Sequence, residues 1–178
     1  MTGSANKRVL LADPMGTRGG EERIVVELAR RLPERGYDVA LACNSAGPLL
    51  EELGPGTEVF HVDFNSGEWA AASATWRAIQ TWKPHLVHCH GTRPGVSARA
   101  AAVFSRCPAL WTVHLNPLWG PTLAESGVAR VAYRTSLAGL NLCSGPTVCV
   151  SGALADELQR FARPFPLRCE VIHNGVDT

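Results

Sequence analysis

Residues 8–32 read RVLLADPMGTRGGEERIVVELARRL and combine an apolar run, a glycine-rich turn and a segment with helical spacing. The apolar run at 8–12 is typical of a buried strand. The helix predicted at 21–35 places four apolar side chains on one face: Ile24, Val25, Leu28 and Leu32. A strand, a turn and an amphipathic helix in this order are the first unit of an α/β fold if the order repeats.

The same alternation continues to the end of the chain. The other predicted strands lie at 39–43, 58–62, 85–89, 109–113, 148–150 and 170–172. The other predicted helices lie at 48–53, 69–82, 94–105, 122–142 and 153–161. Ser151 stands at the N-cap position of the last helix. Alternating strands and helices predict an α/β fold, a Rossmann-like doubly wound parallel sheet of about seven strands.

Length and composition indicate one ordinary globular domain. The chain has 178 residues, of which 46% are hydrophobic and 19% are charged, and its net charge is +1. This balance does not favour a nucleic-acid partner. The sequence shows neither a signal peptide nor an apolar stretch of about 18 residues, so we expect a cytoplasmic protein. We expect residues 1–7 to be a disordered N-terminus and residues 8–178 to form the domain.

The cysteines do not follow the spacing of a disulfide framework or a metal site. The chain contains six cysteines, and no two of them form a Cys-x-x-Cys pair. Several stand inside apolar runs, such as Cys149 in TVCV. We therefore expect buried, reduced thiols.

The first glycine turn is a candidate anion site, because ligands of open α/β sheets bind beyond the carboxyl ends of the strands. Gly19 and Gly20 stand at the predicted helix start, where outward-facing N–H groups and the helix dipole attract an anion. A tight turn with glycine chosen for positive φ is the alternative. A dinucleotide site and a P-loop are disfavoured, because the turn is not G-x-G-x-x-G and no Gly-Lys-Ser/Thr follows.

The stretch HLVHCHGTR at 85–93 supplies three histidines near the end of the predicted fourth strand. His88 and His90 are two residues apart and share a face if the strand persists. We expect His85 at the surface, His88 packed or hydrogen-bonded, and His90 in a functional role at the edge of the sheet. A zinc site is disfavoured, because Cys89 points to the opposite face and no second ligand pair follows at a useful spacing.

His114 ends the stretch LWTVH and stands at the same predicted edge of the sheet. A neutral imidazole at this place is suited to hydrogen-bond a sugar hydroxyl, and an ordinary loop histidine is the alternative. Arg18 and Arg93 are candidates for contact with an anionic substrate. Solvated surface charges explain these two arginines equally well.

Five motifs in this order resemble the N-terminal half of retaining glycosyltransferases with the GT-B fold, glycosyltransferase family 4. The family reads G-G-x-E-R after its first strand, and GGEER stands at 19–23. A P-D-hydrophobic-hydrophobic-H-x-H strand follows in the family, and PHLVHCH stands at 84–90. A strand ending in T-x-H, a strand ending in V-S and the sequence V-I-x-N-G-V-D complete the set. Their counterparts TVH, VCVS and VIHNGVD stand at 112–114, 148–151 and 171–177.

The resemblance implies a role for each matched residue in the half of the GT-B fold that mainly holds the acceptor. It implies that Gly19 and Gly20 face the donor diphosphate. It implies that His114 is the catalytic residue beside the transferring sugar. The implied acceptor-binding residues are His90, Gly91, Thr92 and Arg93. The implied positioning residues are Glu22, Arg23, Ser151, Asn174 and Gly175.

The resemblance also implies the chemistry. The donor is a nucleotide-sugar, a UDP- or GDP-sugar, and the reaction needs no metal or other cofactor. Retention proceeds through an oxocarbenium-like state in which the leaving phosphate takes the acceptor proton, and the sequence shows no carboxylate pair of the glycosidase type. The acceptor is a glycan, a lipid-linked sugar or a small molecule. The loop LNPLWGPT at 115–122 differs from the simpler family turn and leaves the acceptor open.

The C-terminal nucleotide-sugar domain that the family implies is absent from this chain, so we expect the fragment alone to lack turnover. That domain, the donor and the acceptor are the expected partners. Peripheral membrane contact through the helix at 122–142 is an alternative to a core-facing helix, which is favoured, and a dimer of the fragment is a further possible partner. The alternatives are a dinucleotide-binding Rossmann domain and a stand-alone module that binds a carbohydrate or a phosphorylated ligand. A natural chain that ended near residue 178 would favour the stand-alone module.

Overall fold

The computed structural model describes residues 6–14, 19–44, 50–53, 56–115 and 127–175. Seven strands within these ranges form one parallel sheet in the order β3-β2-β1-β4-β5-β6-β7. The strands are β1 Lys7–Ala12, β2 Tyr37–Cys43, β3 Glu58–His61, β4 Leu86–His90, β5 Ala109–Val113, β6 Thr147–Cys149 and β7 Cys169–Val171. The predicted Rossmann-like parallel sheet is therefore confirmed.

Helices cover both faces of the sheet. The α-helices in the described ranges are α1 Gly20–Arg31, α2 Glu68–Trp82, α3 Pro94–Phe104, α4 Gly127–Cys143 and α5 Gly152–Ala162. Helix α1 packs on one face, where Val25 and Val26 meet Leu11 and Leu41 in a small core. Helices α2 to α5 pack on the other face in a larger core. Right-handed crossovers produce this division, because the chain runs one way from β1 to β3 and the other way from β4 to β7.

The single helix predicted at 21–35 is wrong at its carboxyl end. Helix α1 stops at Arg31, and a separate 3-10 turn covers Pro33–Arg35. Leu32 is still in helical geometry, but Pro33 has no N–H to continue the α-helical hydrogen bonds. Gly36 then closes the turn in the left-handed region, with φ of 78°. The short helix predicted at 48–53 is likewise a 3-10 turn, Leu50–Glu52, and residues 48–49 lie outside the described ranges.

The other predicted elements agree with the structure to within about two residues where it describes them. The N-cap prediction for α5 is confirmed, because the Leu154 N–H donates to Ser151 Oγ at 3.2 Å. The helix predicted at 122–142 corresponds to α4, which buries Tyr133 and Leu137 and is therefore core-facing as favoured. Some predictions lie outside the described residues: those for 1–5, Arg18, 116–122 and the first five residues of the helix at 122–142.

The chain carries six free cysteines, and burial differs among them. Cys43, Cys89 and Cys149 are buried as predicted, whereas Cys143 is exposed on α4 and contradicts the prediction for that position. Each helix of the described ranges is too short or too polar to cross a membrane. No cluster of three or more metal-ligating side chains occurs within the same ranges.

Candidate functional site

Helix α1 begins at the carboxyl edge of the sheet, and among the described residues Glu22 covers one side of its N-terminus. Gly19 is the N-cap residue and makes no side-chain cap, as glycine must. The Glu22 carboxylate lies against the Gly19 Cα, at the place a Cβ would take. Glu22 is three residues after the N-cap, the position from which a glutamate reaches back in a capping box. A Cβ on Gly20 would have no heavy atom of the described residues within 4 Å, so these residues leave the helix start open there.

A pair of carboxyl groups lies behind this helix start. Asp13 follows β1, is buried, and donates its N–H to the Ala42 carbonyl oxygen at 3.1 Å. Glu21 of α1 shares a side-chain hydrogen bond with Asp13. Burial, together with the Asp13 charge, raises the pKa of the Glu21 carboxyl to about 8. The two groups therefore hold one proton between them at neutral pH. The sequence did not predict this pair, because the two residues meet only when α1 packs on the sheet.

We expect Glu21→Gln to stabilise the chain by about 1–2 kcal/mol at pH 9 and to change its stability little at pH 5. Folding raises the Glu21 pKa from 4.5 to about 8, so the folded state keeps a proton that the unfolded state has released. Stability from this group is complete below pH 4.5 and is lost as the pH rises through 8. Glutamine does not ionise and still donates a hydrogen bond to Asp13.

Urea unfolding at the two pH values measures this difference. Glu34→Gln, an exposed substitution just after α1, is the matched control and should show no such gain at high pH. An equal gain in both variants, or none at position 21, would contradict a proton shared between Glu21 and Asp13.

The turn after β4 is held tightly on two sides. Gly91 has φ of 73°, and the Glu21 carboxylate lies against its Cα where another residue would carry a Cβ. The Gly91 carbonyl oxygen accepts the Trp111 indole N–H at 2.7 Å and the Gly95 N–H at 3.2 Å. Gly95 also packs directly on the Trp111 ring, which leaves no room for a side chain. Only glycine therefore fits at position 91, and the sequence did not predict the contribution of Trp111.

Three histidines form a row along the carboxyl ends of β4 and β5. His88 and His90 share one face of β4 as predicted, with ring centroids 4.1 Å apart. His90 Nδ1 lies 3.1 Å from His114 Nε2, and the two rings are stacked with an interplanar angle of 22°. His88 Nε2 lies 2.8 Å from Thr112 Oγ1, which confirms that His88 is hydrogen-bonded. His88 and His114 are partly exposed, whereas His90 is fully buried.

The histidine row is uncharged at neutral pH. Burial lowers the pKa of His88 and of His114 to about 4, and it lowers the pKa of His90 well below the usual range. The Glu22 charge opposes the shift at His114, which places the Glu22 carboxylate near that imidazole. Each neutral ring carries one N–H, so one of the two nitrogens in the His90–His114 contact donates and the other accepts.

Two nitrogens of this row have no hydrogen-bond partner among the described residues, His90 Nε2 and His114 Nδ1. A buried polar nitrogen without a partner is costly, so each is a place where a ligand group would be stabilised. His114 is partly exposed as a residue although its Nδ1 atom is buried, whereas His90 is fully buried.

The remaining predicted residues lie at several places along the same edge. Arg93 is exposed and donates from Nη1 to the Phe64 carbonyl oxygen at 3.2 Å. Thr92 is half-buried on the same turn, and Arg23 is exposed on α1. Ser151 caps α5, while Asn174 and Gly175 are exposed beyond β7. The structure therefore brings Glu22 and Gly91 to the histidine row, and no described contact joins Ser151, Asn174 or Gly175 to it.

The His90 side chain is buried, whereas the prediction required an accessible residue. We expected a residue that touches the acceptor, but the His90 side chain is 0% exposed and contacts its neighbours His88 and His114. Its position in the row follows from the pairing of His90 with Thr112 in the sheet, which leaves His114 just beyond the end of β5. The sequence could not show this, because the contact joins residues 24 positions apart on two strands.

A buried arginine supports the floor of the site and was not predicted. Arg99 of α3 is 0% exposed and donates to Ser144 Oγ at 2.6 Å and Asn141 Oδ1 at 2.8 Å. Its guanidinium lies over the Trp111 ring, 5.2 Å from the centroid. Because Trp111 in turn holds the Gly91 turn, Arg99 connects α4 to the histidine edge.

This chain matches a known protein family over most of its length. Residues 18–178 match the model of Glycosyltransferase Family 4. The chain belongs to glycosyltransferase family 4. The matched range contains the open start of α1, the Gly91 turn and the histidine row, so the described edge is the edge of a glycosyltransferase domain.

Two curated relatives match most of this chain. The D-inositol 3-phosphate glycosyltransferase of Streptomyces coelicolor is 29% identical over 184 residues, covering 91% of this chain and 40% of the relative. The UDP-Gal:alpha-D-GlcNAc-diphosphoundecaprenol alpha-1,3-galactosyltransferase of Escherichia coli is 21% identical, covering 89% and 42%. This chain thus spans about two fifths of the length of these two relatives.

A solved structure supports the fold assignment. The family 4 chain superposes on Anabaena HepE in complex with UDP and glucose with a TM-score of 0.68 and 20% identity, covering 97% of this chain and 45% of HepE. The predicted relationship to the N-terminal domain of a GT-B glycosyltransferase is therefore confirmed.

Proposed function

We propose that the chain is the acceptor-side domain of a retaining glycosyltransferase that transfers a sugar from a nucleotide-sugar without a metal ion. The acceptor is a glycan, a lipid-linked sugar or a small molecule. The observation that carries the proposal is the contact of 3.1 Å between His90 and His114 beside the open start of α1. This arrangement puts a neutral hydrogen-bonding group and an anion-binding helix end at one edge, as group transfer from a diphosphate requires.

His114 is the proposed catalytic residue. Its Nδ1 has no partner among the described residues, while its Nε2 is engaged by His90. A neutral imidazole in this position can hydrogen-bond a hydroxyl of the transferring sugar as positive charge develops at the anomeric carbon. His90 then acts as a positioning residue, since its contact with Nε2 determines which nitrogen of His114 carries the proton.

Gly19 and Gly20 are proposed to face the donor diphosphate. The N–H groups of the first turn of α1 have no partner within the helix, and Gly20 leaves the approach open. The helix dipole stabilises negative charge on the leaving nucleoside diphosphate, which supports transfer without a metal. The UDP complex of HepE and the UDP-sugar named for the Escherichia coli relative favour a UDP-sugar over a GDP-sugar.

The acceptor side is proposed to lie at the Gly91 turn. Thr92 and Arg93 are the accessible residues of this turn, and Trp111 and Glu21 hold its backbone in place. Arg93 supplies a positive charge suited to a phosphorylated acceptor. The names of the two relatives specify acceptors with a phosphate or diphosphate group, which is consistent with this charge.

The other matched residues are proposed to position the site. Glu22 covers Gly19 and lies near His114, so it links the donor and acceptor sides. Arg23, Ser151, Asn174 and Gly175 are proposed to orient neighbouring loops toward a C-terminal nucleotide-sugar domain in the whole protein. We also propose that the enzyme is cytoplasmic.

The test uses the full-length enzyme with UDP- and GDP-sugars and a panel of acceptors that contains an inositol phosphate and a polyprenyl-diphosphate sugar. Proton NMR of the product gives the anomeric configuration, and parallel assays contain EDTA. We expect the α-configuration of the donor to be kept, EDTA to leave the rate unchanged, and the chain alone to show no turnover. An inverted product would contradict retention, and loss of activity in EDTA would contradict metal independence.

A further inference from the structure

Helices α2 and α3 enclose an apolar groove on the outer surface of the domain. Its volume is about 490 Å³. Two serines and one glutamate are the polar residues of the lining, and the rest is apolar: Trp69, Ala72, Trp76, Val96, Ala100, Ala101 and Phe104. The two helices are joined at the lower end, where Gln80 Nε2 donates to Ser105 Oγ at 3.3 Å. The groove is therefore formed by the packing of α2 against α3.

Large aromatic side chains project from the rim of this groove. Trp69 is 85% exposed, Phe104 is 78% exposed and Trp76 is 46% exposed. Isolated exposed apolar residues need no explanation, but three aromatic rings around one apolar groove form a contiguous patch. Such a patch is typical of a surface that becomes covered by a partner.

The segment of the chain that forms the groove is strongly basic. Residues 68–106 contain five basic residues and a single acidic one, Glu68, although the whole chain has a net charge of only +1. Arg99 is buried, and the other four bases are exposed: Arg77, Lys83, Arg93 and Arg106. Arg77 donates to Ser73 Oγ of the groove lining at 3.1 Å, so its charge lies at the rim.

We propose that the α2–α3 groove docks the protein on the surface of an anionic lipid bilayer. Tryptophan and phenylalanine insert at the boundary between headgroups and acyl chains, where an amphipathic ring is most stable. The exposed bases around the groove attract anionic headgroups at the same time. The contact is peripheral, because no helix in the described ranges is able to cross a membrane.

A second copy of the chain is a poorer occupant of the groove. A symmetric dimer places the same patch of both copies face to face, so the bases around one groove would meet those around the other. Like charges brought together in this way are repelled, and the patch offers only Glu68 as a partner. An anionic lipid surface satisfies both the apolar groove and the bases.

The upper end of the groove adjoins the Gly91 turn. Ser97 lines the groove, and its Oγ donates to the Arg93 carbonyl oxygen at 2.9 Å. The Glu68 carboxylate lies close enough to Arg93 for that charge to oppose the effect of burial on its pKa. Docking would thus bring the turn after β4 close to the lipid surface. The docking does not depend on the proposed sugar transfer, and its test contains no nucleotide or acceptor.

The experiment is flotation of the chain with phosphatidylglycerol–phosphatidylcholine vesicles and with pure phosphatidylcholine vesicles, at low and high salt. We expect binding to the anionic vesicles that weakens as salt rises. The double variant Trp69→Ala/Phe104→Ala should reduce partitioning by about ten-fold or more, because two inserted rings are lost. Arg77→Glu should weaken binding to anionic vesicles in the same direction.

The matched controls lie on α4, outside the groove. Val128 and Leu142 are 81% and 79% exposed, so Val128→Ala/Leu142→Ala removes equally exposed apolar groups and should leave binding unchanged. Arg130→Glu is the control for the charge reversal. Failure of the parent chain to bind anionic vesicles, or unchanged binding of the groove variant, would overturn the proposal. A dimer in light scattering that the groove variant abolishes, without vesicle binding, would instead assign the groove to a second copy.

Discussion

His114→Ala in the full-length enzyme should lower kcat for sugar transfer by about 10² to 10⁴-fold. The side chain is partly exposed just beyond the end of β5, its Nε2 is held by His90, and its buried Nδ1 has no partner among the described residues. Alanine removes the group that would contact the transferring sugar. Because burial lowers the His114 pKa to about 4, the imidazole is neutral throughout the physiological range. The loss should therefore be the same at pH 6 and at pH 8.

Steady-state kinetics with a saturating donor measures this effect, and circular dichroism verifies the fold. His85→Ala is the control, because His85 is exposed at the opposite edge of the sheet, where its Nδ1 accepts the Arg8 N–H at 3.0 Å. A His114→Ala enzyme that kept more than a tenth of the parent kcat would remove His114 from the catalytic role. A loss that appeared only at low pH would show that a charged imidazole takes part.

Gly20→Val should raise the KM for the nucleotide-sugar by about 10- to 100-fold in the full-length enzyme, with a smaller change in kcat. Diphosphate oxygens must approach the first N–H groups of α1 to about 3 Å, and a branched side chain at the first helical residue fills that space. The substitution should not disturb the fold, because a Cβ on Gly20 meets no heavy atom within 4 Å.

The control for Gly20→Val is Gly127→Val. Gly127 is also the first residue of a helix and also has open space around it, but it begins α4. Donor KM and thermal unfolding are measured for both variants. An unchanged KM in Gly20→Val would show that the diphosphate does not lie on α1, and the glycine would then serve the turn alone.

The sequence by itself determined the elements and their order. Apolar runs and helical spacing are local properties, so the seven strands and most of the described helix ends could be predicted to within about two residues; the exceptions are the end of α1 and the short helix at 48–53. The helix start at Gly19, the shared face of His88 and His90 and the N-cap at Ser151 follow from the same local rules. The end of α1 could also have been predicted from the local sequence, because Pro33 marks a helix boundary. The prediction at 21–35 followed the helical spacing of the apolar residues and ran past this boundary.

Only the tertiary structure decided which residues meet. The His90–His114 contact depends on β4 and β5 lying side by side, and the Asp13–Glu21 pair depends on α1 packing at the edge of the sheet. Protonation follows from these contacts, because the Glu21 pKa rises through burial and a neighbouring charge that no single segment contains.

The apolar groove shows most clearly the difference between what the local sequence predicts and what tertiary packing decides. Trp69 and Phe104 lie far apart in the sequence, and each stands in a helix that reads as an ordinary alanine-rich segment. Their common patch exists because consecutive right-handed crossovers place α2 and α3 side by side on the same face. Periodicity predicts which residues share a face of one helix, whereas a surface made by two helices follows only from their packing.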